Sequence, residues 1–486
     1  MKLAFTSFFV VLSLALFSQT YQLTVANGYG SGAYRAGDSV HIFSNPPTAT
    51  TVFNQWTGDI SPIQDASEWH SVVVMPARNI SISAESKASA AVGIPVLEQI
   101  RGKNILKPVY SAFPSGMRGV IFLLHGSGGS AQNWVTQFEN LSFVRDALAD
   151  NFGVIITECE ESTLNQDTNG DGKIRWATFP ADTLNNVDYV NIRAIRDTFI
   201  QRGKFNYATP LFSVGMSAGA AYSATLSPIY RFKAGVNYCA PSANLTIALT
   251  QTPTMFNMAL YDMNENVGPQ GNADALQNFQ TLQTRGICSR FSAHDRTPLY
   301  AERFSRRGDL SVALSTTVFN ELKTTGFLDV KNYAKTPSDS LIAHLLATPS
   351  VYPTLVSLTA IQRAFVFSQI DVSFADHQFY SDYNKRTLRF LKNQCAPTTP
   401  TIEILENQPL RISPNPTADF IRFEVKTSEL ADISFVDLAG KQVFYSEKNT
   451  ADGEQIYVGH LPNGLYLVRV RLANGAVWIG KLVVSK

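Results

Sequence analysis

FSVGMSAGA, residues 212–220, sets Gly215, Ser217 and Gly219 in a Gly-x-Ser-x-Gly pattern. The run before it (210–214) is apolar, and the alanine-rich segment after it favours a helix. A strand that turns sharply into a helix forces its corner residue into strained backbone angles. Glycine two residues to either side keeps the neighbouring backbone from clashing there. A serine at such a corner stands exposed as a nucleophile. A bystander serine in a tight turn fits the same five positions, so the surrounding chain has to decide.

Outward from this corner the pattern is regular. GVIFLLHG (119–126), FGVIITE (152–158), TPLFSVG (209–215), FKAGVNYCA (232–240) and PTMFNMALY (253–261) are near-continuous apolar runs, as strands buried on both faces should be. Between them, NVDYVNIRAIRDTFIQR (186–202) and ADALQNFQTLQTRG (273–286) carry helical spacing. The alternation predicts an α/β fold over 97–394, a mostly parallel sheet with helices on both faces.

Three further segments bear on Ser217. GVIFLLHG leads into His125-Gly126-Ser127-Gly128-Gly129, a glycine loop whose N–H groups at Ser127 or Gly128 would meet a developing oxyanion together with that of Ala218. The loop lacks the Gly-Lys-Ser/Thr ending of a phosphate loop, and His125 reads as structural. The acid is expected after the nucleophile and before the base. Asp262, at the edge of the run 253–261, is the first choice; Glu265 is a substitute and Asp295 a third. His377, in FADHQFYSDYNKRTLRFLK, precedes an amphipathic helix that ends the domain and is followed by the aromatic Phe379, which favours it over His294 as base. His344 lies at a helical position in SLIAHLLA and reads as a face or core residue.

The elbow, the HGSGG loop and the ordered Asp and His resemble secreted α/β-hydrolases of the esterase and polyhydroxybutyrate-depolymerase-like group. The resemblance implies ester hydrolysis through an acyl-serine intermediate, with no cofactor needed for the chemistry. With His377 as base, residues 296–370 become an excursion, expected as a helical lid. Trp176 is expected to line the pocket.

Asp167, Asn169 and Asp171 alternate before Gly172 as in a calcium loop. Position twelve is Thr178 where a bidentate carboxylate belongs, and the segment follows a strand, so an Asx-rich turn competes with a structural calcium site.

At about 150 residues per domain, 486 residues suggest about three domains. MKLAFTSFFVVLSLALFSQ (1–19) reads as a signal peptide, too short to span a membrane comfortably. Residues 20–86 are β-patterned, with Gly30, Gly32, Ala36-Gly37-Asp38, Trp56, Gly58, Asp59 and Met75-Pro76. They resemble a small bacterial surface repeat, which implies a spacer or a glycan-contacting module; Trp56 is a sugar-stacking candidate, with a core role the plainer reading. Residues 87–96 and 395–410 read as linkers.

Residues 411–486 return to short β-patterned runs with Asn415-Pro416-Thr417, Asp437, Gly440-Lys441 and Pro462-Asn463-Gly464-Leu465-Tyr466. This resembles the C-terminal sorting domain of the type IX secretion system of Bacteroidetes, implying export through periplasm and outer membrane to the surface or medium. Four cysteines (159, 239, 288, 395) allow three full pairings.

The formal net charge is +1 without a basic block, which argues against nucleic acid as partner. The substrate expected is an ester on an extracellular polymer, plant wall or lipid. The competing readings are a serine peptidase on the same fold and a non-catalytic carbohydrate-binding surface protein with a degenerate hydrolase core.

Overall fold

The computed structural model describes residues 19–89, 95–396, 410–423, 430–437, 442–447, 456–472 and 477–486. Residues 1–18 of the signal peptide, 90–94 of the first linker, 397–409 of the second and Gly440-Lys441 lie outside the described residues. Among those described, no helix is long and apolar enough to cross a membrane.

The central sheet has eight strands: β1 (Val96–Arg101), β2 (Leu106–Ala112), β3 (Val120–Leu124), β4 (Gly153–Ile156), β5 (Leu211–Met216), β6 (Ala234–Tyr238), β7 (Thr254–Ala259) and β8 (Ser289–His294). Their order across the sheet is β1-β2-β4-β3-β5-β6-β7-β8. β3 to β8 are parallel, and β2 is antiparallel to both neighbours. The main helices are α1 (Phe138–Ala149), α2 (Val187–Gln201), α3 (Ala218–Ile229), α4 (Gly268–Thr284), α5 (Val312–Thr324), α6 (Ser338–Ala347), α7 (Ala360–Phe374) and α8 (Asn384–Asn393). This is the α/β-hydrolase fold.

The two-residue period of a strand divides β3 between two cores. Ile121 and Leu123 join Phe143 and Val144 of α1 and Leu388 and Leu391 of α8. Val120, Phe122 and Leu124 join Ile192, Ile195 and Phe199 of α2 and Tyr222 and Leu226 of α3. Helices therefore cover both faces, and the apolar runs of the sequence are strands with no solvent side. A disulfide between Cys288 and Cys395 joins the foot of β8 to the chain just past α8, while Cys159 and Cys239 are buried and free.

Residues after β8 form α5, α6 and α7 with short turns around their own core, which includes Leu299, Phe304, Val318, Leu355 and Ile370. This excursion meets the N-terminal region: Tyr300 stacks on Tyr29, and the Tyr333 hydroxyl lies 3.1 Å from His41 Nε2. The N-terminal region itself is a four-stranded sheet and a three-stranded sheet around Leu23, Ile42, Trp56 and Val73. Trp56 is 1% exposed and donates its indole N–H to the Glu68 carbonyl; it is a core residue, not a sugar platform. The C-terminal strands form a three-stranded and a four-stranded sheet around Ile421, Phe435, Val468 and Leu482.

Candidate active site

β5 ends at Met216, α3 begins at Ala218, and Ser217 sits between them with φ 55° and ψ −120°. That is left-handed φ on a residue with a side chain, a cost of order 1–3 kcal/mol that surrounding structure has to hold. Part of the hold is the Ser217 N–H, which donates to the Tyr238 carbonyl at the end of β6 (2.8 Å). The flanking glycines have a steric reason. A Cβ on Gly215 would lie 2.1 Å from the Gly219 carbonyl oxygen, and one on Gly219 would lie 2.3 Å from that of Leu124. Both contacts are with backbone, so no side-chain adjustment relieves them.

The loops at the C-terminal ends of the parallel strands supply the partners, where open α/β sheets gather their sites. Ser217 Oγ donates to His377 Nε2 at 2.9 Å. His377 Nδ1 donates to Asp262 Oδ2 at 2.6 Å. Asp262 is fully buried, and its other oxygen accepts the Asn264 N–H (2.9 Å). A buried carboxylate that accepts from both sides fixes which imidazole nitrogen carries hydrogen, leaving Nε2 free to accept.

The alternatives point elsewhere. Glu265 is exposed, and Asp295 is ion-paired with Arg469 of the C-terminal strands. His294 is buried against Tyr380, 3.1 Å from the Val372 carbonyl. His344 lies on α6, exposed.

The glycine loop after β3 divides differently from expectation. Gly128 donates its N–H to the Ile174 carbonyl (2.8 Å), so it is not available to an oxyanion. The N–H groups of Ser127 and Ala218 have no hydrogen-bond partner among the described residues. Gly126 brings the loop against the nucleophile: a Cβ there would lie 3.3 Å from Ser217 Cβ. His125 is buried below, its Nε2 accepting the Cys159 N–H (3.1 Å) and its Nδ1 2.7 Å from the Gly126 carbonyl. Burial drives its pKa down to about 4, so a neutral ring braces the loop.

Trp176 is also not where the sequence suggested. It is 3% exposed, stacked on Tyr222, with its indole N–H on the His125 carbonyl (2.9 Å). It braces the glycine loop through that hydrogen bond and is itself buried.

In the acidic loop, Asp167 accepts the N–H groups of Gly170 and Gly172, and Asn169 that of Asp171. Asp171 accepts from Lys173 N–H and pairs with Arg175. These are the contacts of an Asx-rich turn. Among the described residues, no three His, Cys, Asp or Glu side chains converge as metal ligands would.

One residue beside the base carried no sequence signal of its own. Asp376 Oδ1 accepts both the His377 N–H (2.7 Å) and the Met263 N–H (2.8 Å). Its position directly before the candidate base was the only available clue.

Residues 411–485 match the family model of the secretion system C-terminal sorting domain. The chain is therefore marked for export to the cell surface or beyond by the type IX route. No curated protein matches the chain. Solved structures similar to it include an α/β serine hydrolase without a lid from Xanthomonas campestris, 14% identical over 41% of this chain and 83% of that one (TM-score 0.29). Dienelactone hydrolase from Anabaena variabilis is 14% identical over 46% and 96% (TM-score 0.32). An esterase from Pyrococcus furiosus is 9% identical over 41% and 80% (TM-score 0.31).

Proposed function

We propose that this chain is an exported serine hydrolase that cleaves carboxylic esters through an acyl intermediate on Ser217. The supporting observation is the unbroken run Ser217 Oγ, His377 and Asp262, at 2.9 and 2.6 Å, beside two unpartnered backbone N–H groups. In this reading Ser217 Oγ attacks the ester carbonyl while its proton passes to His377 Nε2. Asp262 stabilises the imidazolium so formed. The carbonyl oxygen, now negative, takes the N–H groups of Ser127 and Ala218, each worth roughly 10²–10³ in rate. Collapse breaks the C–O bond, and the alcohol leaves with the proton from His377. Water then repeats the sequence on the acyl-serine, returning the carboxylic acid and free Ser217.

No cofactor takes part in these steps. Export favours an ester outside the cell, on a polymer, a plant-wall acyl group or a lipid. Met263, next to the acid, is 55% exposed and offers an apolar contact at the rim.

Fluorophosphonate labelling tests the reading. Wild type is expected to label at Ser217, Ser217→Ala not at all, and His377→Ala far more slowly than His294→Ala. A folded wild type that does not label would sink the hydrolase reading. An ester and peptide panel on the labelled enzyme then separates esterase from peptidase.

A further inference from the structure

The acid and base of this site are 115 residues apart, so their alignment depends on what joins their two loops. The loops run side by side and are linked at three levels. The Tyr261 N–H donates to the Ala375 carbonyl at 3.0 Å. His377 Nδ1 donates to Asp262. Between these, the single oxygen Oδ1 of Asp376 takes the N–H of Met263 from the acid loop and the N–H of His377 from its own.

Asp376 is itself anchored. α7 is capped by Ala375 in the left-handed conformation (φ 61°), and the Asp376 N–H turns back to the Asp371 carbonyl at 2.9 Å. One end of the bridge is therefore fixed to a helix terminus, and the other spans to the residue after Asp262.

We propose that Asp376 is a positioning residue for hydrolysis, clamping the acid loop to the base loop so that His377 meets Ser217 and Asp262 together. This rests on the reading of Ser217 as nucleophile. The location is costly for a carboxylate: burial raises its proton affinity, and the charge of Asp262 acts in the same direction. The two backbone N–H groups it accepts offset that cost. Because the role is to accept, asparagine retains it. A residue that merely ended a helix would affect melting and leave turnover alone. A misplacement of about 1 Å at a catalytic group costs up to about 10²-fold in rate.

The test compares wild type, Asp376→Asn and Asp376→Ala in p-nitrophenyl acetate hydrolysis and in fluorophosphonate labelling rate. Asp376→Ala is expected to lower kcat by about tenfold or more with KM nearly unchanged, and to slow labelling in parallel. Asp376→Asn is expected to recover most of both. Wild-type rates in Asp376→Ala, or an Asp376→Asn as slow as the alanine variant, overturn the proposal. If Asp376→Ala does not fold, Asp376→Glu replaces it: the displaced carboxylate should slow kcat, and a wild-type kcat overturns the idea. Absence of label on wild type would instead remove the Ser217 reading, and it is observed before any variant is compared.

Discussion

Two small β regions flank the hydrolase fold, and they are attached to it in different ways. The N-terminal one is joined by buried, directional contacts to the segment just after His377. Trp69 donates its indole N–H to the Ser381 carbonyl (3.1 Å), and His70 Nδ1 lies 2.6 Å from Asp382 Oδ1. Glu68 accepts the N–H groups of Lys385 and Arg386, while Asp65 pairs with Arg389. The C-terminal region rests Ile479 and Leu467 on the apolar face of α4, β7 and β8. Its ion pair to that fold is Arg469 to Asp295, and Arg471 reaches Ser39 of the N-terminal region instead.

The difference has a physical origin in α8. That helix has no capping side chain of its own, and the first N–H groups of a helix need an acceptor. Glu68, more than three hundred residues earlier, supplies it. The N-terminal region is thus packed into the α/β fold, not tethered to it. The C-terminal region is placed as a separable label.

The largest expected effect tests the first half of this contrast. Trp69 is 5% exposed, and the Arg306 guanidinium lies 3.7 Å over its ring. Trp69→Ala should destabilise the hydrolase by about 3–5 kcal/mol, through lost packing and a cation left without its aromatic face. The readout is the temperature at which Ser217 labelling is lost. An unchanged temperature would mean the docking is superficial.

Glu68 sharpens the comparison at a smaller scale. Burial, reinforced by the charge of Asp65, pushes its pKa up to about 8, so its protonated form is favoured in the fold. The folded value exceeds that of the unfolded chain, near 4.5. Its stabilisation is therefore full below about pH 4.5 and is lost as pH rises through about 8. Neutral glutamine, with one acceptor oxygen where Glu68 uses two, should keep the Arg386 N–H bond, lose the Lys385 one, and remove that part of the alkaline decline. Glu68→Ala, which leaves the α8 N–H groups without an acceptor, should cost about 1–2 kcal/mol. Identical melting of the Gln and Ala variants across pH 5–9 would refute the capping role.

These contacts also mark the limit of what the sequence could say. The elbow was legible because its constraint is local: Gly215 and Gly219 lie two residues from Ser217, and the clash they avoid is with backbone. The parallel sheet was legible from runs such as 119–124, apolar on both faces. The choice among Asp262, Glu265 and Asp295 was not, because it depends on which carboxylate faces His377 from another loop. Gly128 and Trp176 misled for the same reason. Each is occupied by a partner from another loop, the Ile174 carbonyl in one case and the His125 carbonyl in the other. The Glu68 cap and the Cys288–Cys395 pair span still longer separations.

The smallest expected effect tests the other half of the contrast. Removing residues 410–486 deletes a region with its own core, around Val468 and Leu482. It exposes part of the apolar surface of α4 and breaks the ion pair at Asp295. A pair with one partly exposed member is worth about 1 kcal/mol or less, and the exposed patch adds a modest amount at roughly 25 cal/mol per Å². The truncated protein should therefore label at the wild-type rate and lose labelling within a few degrees of the full chain. Asp262 and His377 are held by Asn264, Asp376 and each other, none of which touches the deleted strands through a hydrogen bond among the described residues. A large drop in labelling rate would place the C-terminal region among the supports of the acid loop, and the two flanking regions would then differ in degree only.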